Sequence, residues 1–548
     1  MQNFDAMNNA IYNFPTPQNE PVLNYFRSSP ERNALDIERV RQTGTTIEIP
    51  LIIGGKEIRT GDIGEVRAPH NTSLLLATYH KVGQKEIGLA IEAALNARKM
   101  WANLTWTIRA SILLKAAELM AAQYRYLINA ATMLGQSKNI YQAEIDSVCE
   151  TVDFLKYNTY FAGKIYEIQP RSSFNQLNRM EFRALEGFIL AISPFNFTSI
   201  ASNLNMAPVM MGNTTLWKPA TTSLLSNYYL MKVFMEAGLP EGVINFIPGN
   251  GSLIGQTVVK SKDLAGIHFT GSNTTFNRLW QQVSENLPDY RSYPRLVGET
   301  GGKDFIFVHP AADAFEVAVN AIRGAFEYQG QKCSAASRMY VAKSLWPKIK
   351  SLMVDMAEEI RMGDVADANN FMNAVIDKAS FDSIRGYIEY ARKSSDAQII
   401  AGGQCDDSKG YFIRPTIVET SSPRHKLMEE EIFGPVLTVY PYDDSKLDET
   451  IDLCDTTSPY GLTGAVFTKD RVAASKICEK LQYAAGNFYI NDKPTGAIVG
   501  LQPFGGSRAS GTNDKAGGEF NLVRWISPRT IKETFVPPTH YKYPYMSE

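Results

Sequence analysis

Gly187-Phe-Ile-Leu-Ala-Ile-Ser-Pro-Phe-Asn196 is a short apolar run that stops abruptly in polar and turn-forming residues. A run without charges, bounded in this way, suits a strand covered on both faces. After a helical stretch the design recurs in Asn213-Thr-Thr-Leu-Trp-Lys-Pro219, Gly242-Val-Ile-Asn-Phe-Ile-Pro248 and Gly266-Ile-His-Phe-Thr270. Short β-rich runs separated by helical patterns predict βα units and a parallel sheet. Ligands of such sheets bind beyond the carboxyl ends of the strands. Here those ends read Ser193-Pro-Phe-Asn196, Lys218-Pro-Ala220, Pro248-Gly-Asn-Gly251 and Gly271-Ser272, the pattern of a cofactor site. A second βα series runs from Asp304-Phe-Ile-Phe-Val308 to about Leu481, through Arg338-Met-Tyr-Val-Ala342, Ala397-Gln-Ile-Ile-Ala401 and Gly464-Ala-Val-Phe467. The fold class is therefore α/β, and 548 residues exceed what one core holds.

Outward from these series the chain reads as follows. Residues 1–45, rich in Asn, Pro and charge, form an arm with a helix over Pro30 to Gln42. Glu48-Ile-Pro-Leu-Ile-Ile-Gly-Gly-Lys56 is a strand entering a turn, and Lys85 to Leu134 is helical by its apolar spacing. A further helix spans Tyr141 to Thr159, with Glu144, Asp146 and Glu150 read as a solvated face. Arg171 to Arg183 alternates loosely and is expected to be an extended excursion making an oligomer contact. The tail around Lys532-Glu-Thr-Phe-Val-Pro-Pro538 supplies a strand to complete it.

Composition excludes several classes of function. A net charge of −2, a pI near 6.4 and a mean hydropathy of −0.20 leave no footprint for nucleic acid or anionic membrane. Partners are expected to be a small-molecule substrate and other copies of the chain. Five scattered cysteines without CxxC spacing argue against a disulfide framework and a zinc site, so no metal is expected. Met1 to Glu20 holds two acids, no Arg or Lys and no apolar core, unlike a signal or transit peptide. No apolar run is long enough to cross a bilayer. The expected compartment is the cytoplasm, or the mitochondrial matrix if a targeting segment has been trimmed.

Of the cysteines, Cys333 lies in Gly330-Gln-Lys-Cys-Ser-Ala-Ala336, where small neighbours leave the sulfur open to approach. Lys332 beside it is expected to favour the thiolate, the nucleophilic form. A buried, inert cysteine is the commoner case, so the weight falls on what accompanies it. There is no GxGxxG; Gly249-Asn-Gly-Ser-Leu-Ile-Gly255 has one residue too many. Gly271-Ser272 after a strand offers backbone N–H groups at a helix start, which suit a pyrophosphate.

Seven segments sharpen the reading: Ser193-Pro-Phe-Asn-Phe197, Trp217-Lys-Pro219, Phe269-Thr-Gly-Ser272, Glu299-Thr-Gly-Gly-Lys303, Gly330-Gln-Lys-Cys333, Glu431-Ile-Phe-Gly-Pro435 and Pro503-Phe-Gly-Gly506. In this order and at these separations they resemble the aldehyde dehydrogenase superfamily from about residue 50 to residue 520. The resemblance implies that fold: a Rossmann-like NAD-binding domain (1–165 and 187–300), a second α/β catalytic domain (301–518), and a small β oligomerisation flap with the C-terminal tail (166–186 and 519–548). It implies Cys333 as nucleophile, Asn196 with the Cys333 N–H as oxyanion donors, and Glu299 as the base that activates water. Lys218 is matched to the adenosine ribose, Glu431 to the nicotinamide ribose and Phe433 to the nicotinamide ring. Ser193 and the turn Gly271, Ser272, Asn273, Thr274 and Thr275 meet the rest of the dinucleotide. Thr221 and Phe276 depart from the pattern common in NAD-preferring members, so NAD is expected and NADP stays open.

One branch shares these departures. Phe269-Thr-Gly-Ser-Asn-Thr-Thr-Phe276, Gln329-Gly-Gln-Lys-Cys-Ser-Ala335, Thr495-Gly-Ala-Ile-Val-Gly500 and Pro503-Phe-Gly-Gly-Ser-Arg-Ala-Ser-Gly-Thr-Asn-Asp-Lys515 resemble the 1-pyrroline-5-carboxylate (glutamate-γ-semialdehyde) dehydrogenases of proline catabolism. That likeness places the substrate carboxylate at Ser334 and the backbone N–H groups of Gly496 and Ala497, with Glu144 a candidate near the ammonium. It implies a homodimer or higher homo-oligomer and a possible proline dehydrogenase partner. A CoA-acylating enzyme, a dehydrogenase for another semialdehyde such as succinate semialdehyde, and a non-catalytic protein keeping the fold are the competing readings. Cys333, Asn196 and Glu299 together weigh against the last, and Glu299 against the first.

Overall fold

The computed structural model describes residues 14–546. Two seven-stranded sheets dominate it. In the first the order is Arg295–Glu299, Leu264–Thr270, Phe188–Ile192, Thr215–Lys218, Ile244–Phe246, Leu51–Ile53 and Lys56–Ile58. The strands from Arg295–Glu299 to Ile244–Phe246 are parallel, and an antiparallel hairpin closes one edge. Phe188, Ile189, Leu190 and Ala191 are wholly buried, as a strand sandwiched between helices requires. Gly187 begins this strand at φ +144°, where a Cβ would sit 2.0 Å from the Asp263 carbonyl oxygen, so a side chain is excluded. Register then sets the site. Ile192 pairs with Lys218 and with Phe269, and Thr270 with Glu299, so these carboxyl ends open on one side of the sheet.

The second sheet runs Ala397–Ala401, Thr416–Thr420, Val436–Tyr442, Ala336–Ala342, Asp304–Val308, Thr463–Phe467 and Asn487–Ile490, parallel except for its first pair. Only Thr300-Gly-Gly-Lys303 separates its strand Asp304–Val308 from the edge strand of the first sheet, so Glu299 is delivered to the junction of the two. A third sheet of Ile47–Ile49, Asn71–His80 and Ile63–Ala68 lies apart. The excursion and the tail pair as expected: Gln176–Ala184 and Ile526–Thr534 form an antiparallel ribbon, register Gln176 to Thr534 through Ala184 to Ile526.

The helix expected near Pro30 spans Pro30–Thr43, with Ser29 accepting from the N–H of Arg32 and proline in the first turn. Ahead of it, Pro17 to Glu20 lie against the helix Glu150–Tyr166. Asn19 Nδ2 donates to Asp153 at 2.8 Å, and the Tyr157 hydroxyl to the Pro17 carbonyl at 3.1 Å. That helix is continuous with Ile140–Ala143 through one π-helical turn, Glu144–Cys149. The arm and the helix Arg125–Gln136 cover the face read as solvated, so Glu144 and Asp146 are buried there, held by Arg125 and Lys138. Between the sheets and these helices the largest buried side chains include Trp101, Trp217 and Trp525. Among the described residues no helix is long and apolar enough to cross a membrane.

Candidate active site

Cys333 sits in a loop between the helix Ala314–Phe326 and the strand Ala336–Ala342. The helix ends at Phe326, and the chain reverses through Tyr328 and Gln329, both in the left-handed region at φ +50° and +54°. Strain of that kind persists only where surroundings enforce it. Here Gln329 Nε2 donates to the carbonyls of Ser137 (3.0 Å) and Ala374 (2.8 Å), and the Gln331 side-chain oxygen accepts from the N–H of Ile376 at 2.9 Å. The nucleophile loop is thus bolted on both sides. Asn196, just past the strand Phe188–Ile192, donates one amide N–H to the Gln331 carbonyl at 3.0 Å and is buried beside the loop.

The thiol of Cys333 lies 3.3 Å from Glu299 Oε1, donor to acceptor. Burial pushes the Glu299 carboxyl up to about 7, against the opposing pull of the Cys333 hydrogen bond and the Lys515 charge. Burial, then the negative charge of Glu299, also raises the Cys333 thiol well above its usual value. A carboxyl poised near neutrality within hydrogen-bond reach of a thiol is a base for that thiol and, once the sulfur is acylated, for a water in its place. Lys332 does not lower the thiol as expected. Its Nζ lies 3.7 Å from Asp146 and 3.9 Å from Glu327, and those acids rather than the sulfur take up its charge.

A cavity of about 730 Å³ opens from this pair. Cys333, Glu299, Ser334, Gly496 and Ala497 all line it. The hydroxyls of Ser334 and Thr495 are 2.7 Å apart, which ties the residue after the nucleophile to the Thr495–Gly500 loop. Glu144 is elsewhere. Its carboxylate is taken up by Arg125, the Tyr25 hydroxyl (2.7 Å), Asn129 Nδ2 (2.7 Å) and the N–H of Leu23 (3.0 Å), so it has no capacity left for a ligand. Glu150, six residues on, faces the cavity instead and accepts from Ser199 at 2.5 Å. Desolvation, with the Asp146 charge, pushes its carboxyl up to about 8, the state of an acid lacking a full cationic partner. The helical period itself separates the two acids, since Asp146, Glu150 and Asp153 recur at steps of four and three on the cavity face and Glu144 lies off it.

The residues matched to a dinucleotide gather at the carboxyl ends of the first sheet. Lys218 is desolvated, which lowers its ammonium, and among the described residues its Nζ has no acceptor. It lies 3.7 Å from where a Cβ on Gly251 would stand, at the start of the helix Gly251–Val258 capped by Asn250. A desolvated cation without a partner, beside a glycine that leaves room for a ligand, fits ribose hydroxyls. Ser272 caps the helix Asn273–Glu285 by accepting from the N–H of Thr275, which leaves the first N–H groups of that turn, at Asn273 and Thr274, for a ligand. Asn273 spends its amide on the Ala509 carbonyl at 2.8 Å, and Ser193 accepts the Trp217 indole N–H at 3.0 Å, so both shape the crevice from behind. Gly271 turns the strand end into that helix. On the other sheet, Glu431 accepts from the N–H of Gly302 at 2.9 Å, and desolvation lifts its carboxyl to about 7. Phe433, at φ +54°, meets Phe195 edge-on at 5.9 Å between ring centroids. The donor set and the unpartnered Lys218 fit NAD.

Residues 59–531 match the model of the Aldehyde dehydrogenase family. The mitochondrial delta-1-pyrroline-5-carboxylate dehydrogenase of Dictyostelium discoideum is 51% identical over 540 residues, 98% of this chain and 97% of that protein. The mitochondrial protein of that name from Homo sapiens is 49% identical over 529 residues, 96% of this chain and 94% of that one. Among solved structures, the delta-pyrroline-5-carboxylate dehydrogenase of Mycobacterium tuberculosis bound with NAD matches with a TM-score of 0.95 at 47% identity, covering 98% of this chain and 100% of its own.

Proposed function

The chain belongs to the aldehyde dehydrogenase family, and from that premise we propose that it oxidises L-glutamate γ-semialdehyde, the open form of 1-pyrroline-5-carboxylate, to L-glutamate with NAD in proline degradation. The observation that carries this reading is the Cys333–Glu299 pair at the head of a cavity bounded by Ser334 and the Gly496-Ala497 loop.

The residues divide the work as follows. Glu299 accepts the thiol proton, and the sulfur of Cys333 adds to the aldehyde carbon. The free N–H of the Asn196 amide and the Cys333 backbone N–H meet the oxygen that gains charge, an arrangement worth about 3–4 kcal/mol in acyl-transfer enzymes. NAD, held by Lys218, the Ser272 turn and Glu431, supplies the hydride acceptor when bound. The acyl group remains on Cys333 as a thioester. Glu299, having passed its first proton to solvent, accepts one from water as that water attacks, and the acid leaves with the thiolate restored. A CoA-acylating enzyme would share the first step but would not need a carboxyl to activate water at the thioester. Glu150 takes the role near the substrate ammonium for which Glu144 was the candidate.

The exposed ribbon of Gln176–Ala184 and Ile526–Thr534, with Phe174, Leu177 and Val536 uncovered, suits a contact between copies of the chain. A homo-oligomer, and a proline dehydrogenase handing on the unstable intermediate, complete the proposal; sedimentation of the purified chain tests the first. Free thiols suit either reducing compartment, cytoplasm or matrix, and cell fractionation decides between them. NADH formation is the direct test of the reaction, measured with glutamate γ-semialdehyde, succinate semialdehyde and propanal, each with NAD and with NADP. Preference for the first substrate with NAD is expected; preference for propanal would overturn the assignment.

A further inference from the structure

We infer that Lys493 is a specificity-determining residue, its ammonium reading the carboxylate at the far end of the aldehyde; the inference rests on the substrate class proposed above. Three lysines line the cavity: Lys332, Lys493 and Lys515. Two of them are already occupied. Lys332 lies between Asp146 and Glu327, and Lys515 donates to the carbonyls of Gly486 (2.7 Å) and Gly505 (3.0 Å) and to the Asn487 side chain (3.3 Å). Among the described residues, the Nζ of Lys493 alone of the three has no acceptor.

Its position is built, not incidental. The strand Asn487–Ile490 ends in Asn491, at φ +55°, whose side chain accepts from the N–H of Thr468 (2.9 Å) and donates to its carbonyl (3.0 Å). The N–H of Lys493 is bonded to Asp492 Oδ1 at 2.8 Å, which turns that acid toward the backbone. The Lys493 stem then crosses Gly324 of the helix Ala314–Phe326, where a Cβ would come within 3.2 Å of the Lys493 Cβ. From there the ammonium reaches back over its own loop, to 3.2 Å from where a Cβ on Gly496 would stand. Gly496 is at φ +97°, so the position disfavours a side chain on both counts and leaves the cation open to the cavity. Two hydroxyls, Ser334 and Thr495, lie on the same wall.

Hydroxyls and backbone N–H groups orient a carboxylate, but they do not select a charged substrate from a neutral isostere as strongly as a cation does. Lys493 supplies that cation at the one loop whose N–H groups face the substrate's far end. Arg323, exposed on the helix Ala314–Phe326, lines the same cavity and is the competing cation.

The test measures kcat and KM of wild type, Lys493→Met, Lys493→Arg and Arg323→Met with glutamate γ-semialdehyde and with propanal, at low and high salt. Lys493→Met is expected to raise KM for the semialdehyde about tenfold or more, to leave its kcat within about twofold, and to leave propanal unchanged. Lys493→Arg restores most of the loss, and the salt dependence of KM falls in Lys493→Met. Equal loss on both substrates would show a structural role and overturn the inference. So would loss in Arg323→Met with none in Lys493→Met. A wild type that takes both substrates equally would instead overturn the substrate reading itself.

Discussion

The sulfur of Cys333 and the carboxyl of Glu299 come from opposite sheets and meet at 3.3 Å. Glu299 closes the edge strand of the first sheet, and Cys333 lies in the loop leading into a central strand of the second. Bridges across the junction keep that distance: Gly298 N–H to the Thr512 hydroxyl at 2.9 Å and Thr300 N–H to the Ser510 carbonyl at 2.9 Å. The reacting pair therefore reports on how the two sheets sit, and Thr512→Val is expected to lower kcat while leaving cofactor affinity near wild type.

Because desolvation raises Glu299 to about 7, hydrolysis of the acyl-enzyme should quicken as pH rises through that value and level off above it. Stability runs the other way. A carboxyl whose folded value lies above its unfolded value stabilises fully below about 4.5, and that contribution is lost as pH rises toward 7. Thermal melts of Glu299→Gln against wild type should show a stabilisation that grows between pH 5 and 7 and is flat above. A difference independent of pH would show that Glu299 is not desolvated as described.

Glu144 and Glu150 should separate cleanly. Removing the buried partner in Arg125→Met leaves the Glu144 carboxylate unpaired and should cost about 3–5 kcal/mol in denaturant unfolding, with KM unchanged in the folded enzyme. Glu150→Gln should instead raise KM for glutamate γ-semialdehyde about tenfold, yet spare succinate semialdehyde, which has no ammonium.

Lys218→Ala removes the enclosed cation at the first sheet and should raise KM for NAD about tenfold or more. The aldehyde KM, read at saturating NAD, should stay within about twofold. An effect on the aldehyde alone would place Lys218 outside the cofactor crevice.

The sheets were readable in sequence because buried parallel strands have no alternation to hide them: Phe188 to Ile192 and Phe305 to Val308 are apolar throughout and end in turn residues. The family was readable because its motifs fall in one order along the chain, although Cys333, Glu299 and Ala497 approach one another only through tertiary contacts. Two expectations failed for the same kind of reason. Charge beside Cys333 and acids on the helix after Tyr141 were judged by sequence neighbours, whereas Lys332 and Glu144 are claimed by partners far along the chain, Asp146 for the one and Arg125 and Tyr25 for the other. Glu150 shares the cavity face with Asp146 and Asp153, and Glu144 does not. Steps of four and three from Asp146 would have singled out Glu150 and Asp153 over Glu144.

The central claim is that Cys333 carries the acyl group and Glu299 releases it. Rapid quenching of Glu299→Gln, mixed with glutamate γ-semialdehyde and NAD, followed by peptide mass measurement, tests it most directly. The account predicts about one NADH per site, formed more slowly than in the wild-type first turnover because the thiol has lost its base, a glutamyl adduct on the peptide bearing Cys333, and steady-state turnover slowed by about a hundredfold or more. Wild-type turnover with no adduct on Cys333 would contradict it.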